Sequence, residues 1–337
     1  DIELYHAGVE GKGGEEKYAD MVSKHINKEI NYIKVSEATY WDNFAYLTYI
    51  SDFPIYHPND VSLHYIAEKA KNDGVKVLLS GEGADELLGG YSWQSTLLHR
   101  KKIFRFFNAH PLMRKVFTRL LYMCTPAGLN FDENDYKNIM PVSMGLFDFS
   151  TQIAAKSAVF SQHNFKAWSR HQKSLDLFSN DENEDDAFGN AIIFNDLFGH
   201  LGSILHRTDR ILMANSIEGR VPFLENELIN FAVNLPFDRK IKGRQGKYLL
   251  KKLAERYLPK EVIYRKKMGF PVPWGKYIDG VENIFVNGFV SDLTSMPPEY
   301  LKRYTRNDPY AKFKLISLEV WGRIFVWGED YKTITVN

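Results

Sequence analysis

The stretch that most constrains this chain is VKVLLSGEGADELLGGY, Val75–Tyr91. An apolar run of strand length stops at Ser80. Two glycines then alternate with an acid, Asp85 and Glu86 follow, and Gly89–Gly90 close the stretch. Val75–Leu79 reads as a buried strand, and Gly81 and Gly83 give the backbone freedom to take positive φ or to let a ligand approach closely. A helix starting near Ala84 would turn free N–H groups toward a phosphate. Asp85 and Glu86 would repel a bare phosphate, so a divalent cation is the natural partner of such a loop. A Gly-x-Gly alone reads more economically as a flexible strand-to-helix turn with surface acids.

Upstream of this stretch, strands and helices alternate. IELYHAGVE and NYIKVS read as strands, and EEKYADMVSKHI and EATYWDNFAYLTYI as amphipathic helices. Pro54 and Pro58 break a loop, after which Asp60 is placed to cap the helix VSLHYIAEKAKNDG. That order predicts a parallel sheet with helices on both faces. From Trp93 to about Tyr257 the pattern turns helical, and SNDENEDDAFG (Ser179–Gly189) reads as an acidic turn or loop. The expected division is therefore an α/β nucleotide-binding part, residues 1–95, and a mainly helical part, residues 96–337.

Charge and cysteine content exclude several classes. With 43 basic and 42 acidic residues, no net field points to nucleic acid or a membrane surface. The single cysteine, Cys124, rules out an intramolecular disulfide and a cysteine metal cluster, and its apolar neighbours suggest a buried small side chain. No apolar run reaches the roughly 18 residues of a membrane span, and a cytosolic protein is the simplest reading. The histidines lack zinc-ligand spacing.

The whole string LLSGEGADELLGGY, and not its glycines alone, closely resembles the signature of the asparagine synthetase family. Three further stretches resemble that family in the same order: FPIYHPNDVSLHYIA, HRTDRILMANSIEGRVPFLENELINFAVNLP and GKYLLKKLAERYLPKEVIYRKKMGFPVP. The resemblance implies an α/β fold with a parallel sheet of the ATP-pyrophosphatase (adenine nucleotide alpha hydrolase-like) type and a large helical carboxy-terminal half. It implies an ATP- and Mg2+-dependent ligase: a carboxylate, aspartate in the asparagine synthetases, attacks the α-phosphate of ATP, and ammonia from a glutaminase domain or subunit then displaces AMP. A homodimer is compatible with it.

Roles carried over from the family fall on eight residues. Asp85 resembles the magnesium ligand. Glu82 matches the acid that orients or deprotonates the nucleophile, and Lys267 the lysine that reaches the phosphates. Ala7, Ser80, Gly81 and Gly83 would lie along the nucleotide, and Lys247 in GKYLLKK would be a second phosphate contact. Lys266 competes with Lys267. Glu86 is expected to support the loop. Asp209, Arg210, Glu218 and Arg220 read as a buried ion-pair network at the end of a helix.

The sequence also departs from the family. The Ser-Gly-Gly-x-Asp-Ser loop that cradles pyrophosphate is not found in the 337 residues, nor is the glutaminase domain. A carboxy-terminal piece and a member that has lost catalysis are the two explanations, and retention of Glu82, Asp85 and Lys267 favours the first. An opened sheet edge would then predict poor solubility or a partner. Phe53 stands where the family carries an acid. The acceptor is therefore open between aspartate and another carboxylate, such as a sugar acid of surface-polysaccharide assembly. A non-catalytic module on the same scaffold is the third reading.

Overall fold

In a computed structural model the described residues are 2–9, 15–110, 113, 173–179, 183–265, 277–278, 281–305 and 309–336. Cys124, Lys266 and Lys267 lie outside them.

The chain begins with β1 (Leu4–Val9), α1 (Glu16–Ile26) and β2 (Ile30–Val35), with Leu4 opposite Ile30 and Val9 opposite Val35 in parallel register. Parallel neighbours need such a crossover. Glu16 in the first turn of α1 and Lys24 and His25 in its last complement the helix dipole, and left-handed Asn27 ends it.

The run expected as one helix is two, α2 (Glu37–Asp42) and α3 (Phe44–Ser51). Asn43 divides them because its side-chain amide donates to the Tyr65 hydroxyl at 2.8 Å, and that hydroxyl donates to the Thr39 carbonyl at 3.0 Å. In α4 (Asp60–Asn72), Asp60 is the first helical residue and not the cap. Its buried carboxylate is taken by Arg207, Nη1 to Oδ1 2.8 Å.

β3 (Val77–Leu79), α5 (Ala84–Leu88) and α6 (Ser92–Ala109) come next. α7 (Glu184–Ala214) then leads to β4 (Glu218–Arg220), which pairs in parallel with β3. The acidic segment expected as a loop contributes the first turn of α7: Glu184, Asp185 and Asp186 sit at its positive end. Asn183 Oδ1 accepts from the Asp185 and Asp186 N–H groups at 2.9 and 3.3 Å.

The chain is α/β with helices in the majority. Where one parallel sheet was expected, the described residues form two separate two-stranded parallel sheets, β1–β2 and β3–β4. A shared cover lies against both: Ala67 and Ala70 of α4 cluster with Leu212 and Ile217, and Tyr5 of β1 and Leu78 of β3 pack on that cluster.

The remaining helices include α8 (Asn226–Val233), α9 (Phe237–Lys240), α10 (Tyr248–Ala254), α11 (Lys260–Ile263), α12 (Phe289–Thr294), α13 (Pro298–Thr305) and α14 (Pro309–Phe325). Fully buried Glu319 of α14 accepts the Phe289 and Val290 N–H groups, each at 2.8 Å, and so caps α12 from a distant element.

Two compact units result, residues 1–80, 203–220 and 253–337 in the first and 81–202 and 221–252 in the second. The core of the second gathers Leu87, Leu88 and Ala232 with Leu224, Ile229 and Leu250. No helix among the described residues is long and apolar enough to cross a membrane.

The expected buried network at the end of α7 is instead a pair of surface contacts. Arg210 meets Asp52 at 2.9 Å and Arg220 meets Glu218 at 2.8 Å, all four side chains about half exposed. Asp209 is exposed. The buried ion pair of this segment is Arg207–Asp60, which the spacing did not single out.

Candidate active site

β3 stops at Leu79, and the Ser80 N–H donates to the Arg220 carbonyl at 2.9 Å, extending the ladder by one bond. Gly81 is exposed, and a Cβ added there would meet nothing within 4 Å. Glu82 is half-buried. Gly83 has φ +86°, and a Cβ would come within 2.4 Å of Leu224 Cδ2, so both the turn and the packing demand glycine. α5 starts at Ala84 as expected, but five residues later Gly89, φ +71°, ends it. The Gly90 N–H returns to the Asp85 carbonyl at 2.9 Å and closes the turn.

The second glycine pair serves a close backbone junction. A Cβ on Gly246 would lie 2.1 Å from the Gly89 carbonyl oxygen, and one on Gly90 would lie 1.6 Å from Asp85 Oδ1 and 2.4 Å from Lys247 Cε. The Lys247 N–H donates to the Leu88 carbonyl at 3.1 Å. Two chain segments therefore pass without side chains between them, and this brings Lys247 Nζ to 2.9 Å from Asp85 Oδ1. Both side chains are largely buried, 24 % and 22 % exposed. Lys247 holds φ +53°, a left-handed backbone that costs a non-glycine residue roughly 1 kcal/mol.

Beside this pair Glu86 is fully buried, and the Tyr91 hydroxyl donates to its carboxylate. Burial, and then the Glu86 charge, push the Tyr91 phenol well above its ordinary range and keep it a donor. Tyr91 stacks on Trp93 with ring centroids 4.0 Å apart. Trp93 Nε1 and Gln94 Nε2 both donate to Asp196 Oδ2, at 3.0 and 2.9 Å, and Gln94 and Asp196 are fully buried. The loop is thus backed by a satisfied polar network that fixes the start of α6.

The structure brings together Gly83, Asp85 and Lys247 in the second unit, with Gly81 and Glu82 in the loop leading to them. Ala7 and Ser80 belong to the first unit: Ala7 is buried in β1 opposite Ile33, and Ser80 follows β3. The Asp85–Lys247 contact, the Gly89–Gly246 junction and the Tyr91–Glu86 bond were not foreseen. Only the glycine pair signalled a close approach, and its partner lies far along the chain. Among the described residues no three His, Cys, Asp or Glu side chains stand together as a metal cluster.

The sequence model of one family, asparagine synthase, matches residues 1–311. The chain is 30% identical over 312 residues to glutamine-hydrolysing asparagine synthetase 1 of Bacillus subtilis (strain 168), covering 86% of this chain and 45% of that protein. It is 26% identical over 240 residues to asparagine synthetase 3 of the same organism, covering 70% and 33%. It is 22% identical over 297 residues to the amidase chry2 of Gibberella zeae, covering 78% and 42%. The chain therefore spans less than half the length of each of these relatives.

Proposed function

Because this chain belongs to the asparagine synthase family, we propose that it is an ATP-dependent ligase that activates a carboxylate and passes it to ammonia. The fold assigned with this reading is the parallel sheet of the ATP-pyrophosphatase type. A carboxylate oxygen attacks the α-phosphorus of ATP, the bond to the β-phosphate oxygen breaks, and pyrophosphate leaves. Ammonia then attacks the acyl carbon, gives up a proton, and AMP departs with the former carboxylate oxygen. Ammonia comes from a glutaminase domain or subunit.

The observation that carries the reading is the Asp85–Lys247 pair, held at 2.9 Å by a junction of glycines in the loop. The developing charge of this reaction sits on phosphate oxygens, where a lysine is a compact counter-charge. Lys247, with Lys267, would stabilise the pyrophosphate as it leaves. Asp85 supplies a hard carboxylate, and magnesium in nucleotide sites takes one or two carboxylates with phosphates and water completing its shell. That donor set fits a cation arriving with the nucleotide better than a resident ion. When bound, Mg2+ supplies charge neutralisation on the phosphates. Glu82 would orient ammonia or take its proton.

Aspartate is the acid that the named asparagine synthetases suggest. The second reading, another carboxylate, is favoured by Phe53, half exposed in the α3–α4 loop, where the resemblance led to the expectation of an acid.

Pyrophosphate release from Mg-ATP by the 337-residue chain, with ammonium chloride and a panel of acids, tests the proposal. Release that depends on an acid and is lost in Lys247→Met supports it. No release for any acid fits the missing phosphate loop, and the same assay on an upstream-extended chain then separates a truncated enzyme from the non-catalytic module.

A further inference from the structure

A pocket of about 310 Å³ lies wholly within the first unit, outside the glycine-acid loop. One wall is Phe53, Pro54, Ile55 and Tyr56. Facing it are Ser203, His206 and Arg207 of α7, and Ser51 and Asp60 complete the lining. The volume is that of a small-molecule site, about 300–1,000 Å³.

Its place in the fold is where a ligand belongs. α4 runs from Asp60 toward the start of β3, and α7 runs toward the start of β4. Both helices are therefore antiparallel to the strands they feed. Asp60, at the start of α4, and Arg207, about two turns before the end of α7, stand toward the carboxyl ends of β3 and β4. That is the edge at which open α/β sheets bind ligands.

The chemistry of the lining is uneven. Phe53, Pro54, Ile55 and Tyr56 offer apolar and aromatic surface, with Phe53 edge-on to His206 at 6.4 Å. The polar groups are mostly donors: a guanidinium, the hydroxyls of Ser51, Ser203 and Tyr56, and His206, whose Nε2 donates to the Ser51 carbonyl at 2.7 Å. Burial holds the Tyr56 phenol above its ordinary range, so it remains protonated. Among the lining residues the fixed cation is Arg207, which already shares its charge with Asp60 at 2.8 Å and bonds Asn59 Oδ1 at 3.0 Å, while Lys314 Nζ stands behind the wall, 5.7 Å over the Tyr56 ring. Donors and one shared guanidinium suit a single carboxylate. Aspartate would bring a second carboxylate and an ammonium against Phe53 and Ile55, where an unpaired charge is costly. A hydroxylated sugar acid would leave several hydroxyls against the same wall.

We infer that this pocket receives the acceptor acid and selects a monocarboxylate on an apolar or aromatic body. The inference rests on the ligase reading for the word acceptor, and its test does not need catalysis.

The 337-residue chain, without nucleotide, is titrated with phenylacetate, hexanoate, aspartate and glucuronate by calorimetry and ligand-observed NMR. The expected result is binding of phenylacetate or hexanoate about tenfold or more tighter than aspartate or glucuronate. Ser203→Phe, which fills the cavity, should weaken that binding about tenfold or more with the melting temperature retained. Arg207→Lys, which keeps a charge beside buried Asp60 but loses the fork, should weaken it about threefold or more. The inference is overturned if aspartate or glucuronate binds as well as the apolar acids, or if Ser203→Phe binds them unchanged. Apolar acids that bind but support no pyrophosphate release, in this chain or in an upstream-extended one, would sink the ligase reading and leave the pocket's selectivity standing. Aspartate-driven release without apolar-acid binding would do the reverse.

Discussion

Lys247 Nζ stands 2.9 Å from Asp85 Oδ1, across a junction where Gly246 and Gly89 leave no room for a Cβ. The anion proposed to meet a metal and the cation proposed to meet a phosphate thus neutralise each other. A nucleotide carrying its metal offers each of them a partner of higher charge. The left-handed backbone at Lys247 fits a position retained for its side chain and not for stability.

Lys247→Gly separates those two roles. Relief of roughly 1 kcal/mol of backbone strain offsets only part of the loss of a largely buried ion pair, whose breaking by removal of one partner costs up to about 3 kcal/mol, so the melting temperature should fall, but by less than in Lys247→Met. Mg-ATP affinity should fall about tenfold or more. Lys247→Met loses the pair without relieving the strain and should be the less stable of the two. Thermal unfolding and calorimetric titration of both variants check this.

The glycines of the loop should respond differently to alanine. Gly246→Ala meets a backbone oxygen and Gly90→Ala meets the Asp85–Lys247 pair, so each should lose about 1–3 kcal/mol or more from overpacking. Gly81→Ala meets nothing within 4 Å and should leave stability unchanged while reducing nucleotide affinity. Chemical unfolding of the three variants decides; equal losses in all three would contradict the close-junction account.

Tyr91→Phe keeps the stack on Trp93 and removes the donor to buried Glu86. A buried carboxylate that loses a hydrogen bond costs about 1–3 kcal/mol, and denaturant unfolding should register a loss of that size. A variant as stable as the parent would show that the bond contributes nothing to holding the loop.

His64 sets a pH dependence. It is buried, and desolvation lowers its pKa below the ordinary 6.5 against a smaller opposing effect of Glu68. Asn215 Nδ2 approaches its Nδ1 at 3.3 Å as a donor, which suits the neutral ring. Below pH 6.5 the unfolded chain takes up a proton that the folded chain resists. This contribution is therefore full above 6.5 and is lost as pH falls toward the lowered folded value. Melting temperatures between pH 7 and 5 should fall less steeply in His64→Gln than in the parent.

Much of the first ninety residues was legible, because β1, α1, β2 and α4 carry clean periodicity and Asn27 or Gly74 at their exits. The start of α5 at Ala84 followed from Gly83. The break at Asn43 was not legible, since the hydrogen bond that causes it reaches α4. Nor was β4: Glu-Gly-Arg is exposed and has no apolar alternation, and only pairing with β3 makes it a strand. In the candidate site the residue types were readable from the loop, whereas the Lys247–Asp85 contact depends on distant segments meeting. The Arg207–Asp60 pair was missed for the same reason.

The most direct test of carboxylate activation follows an oxygen atom. The 337-residue chain is given Mg-ATP, ammonium chloride and the acid of the panel that best drives pyrophosphate release, with its carboxylate labelled with oxygen-18. Attack on the α-phosphorus followed by amide formation predicts AMP carrying one labelled oxygen and pyrophosphate carrying none. Unlabelled AMP, or release of ADP and phosphate instead, would contradict the account.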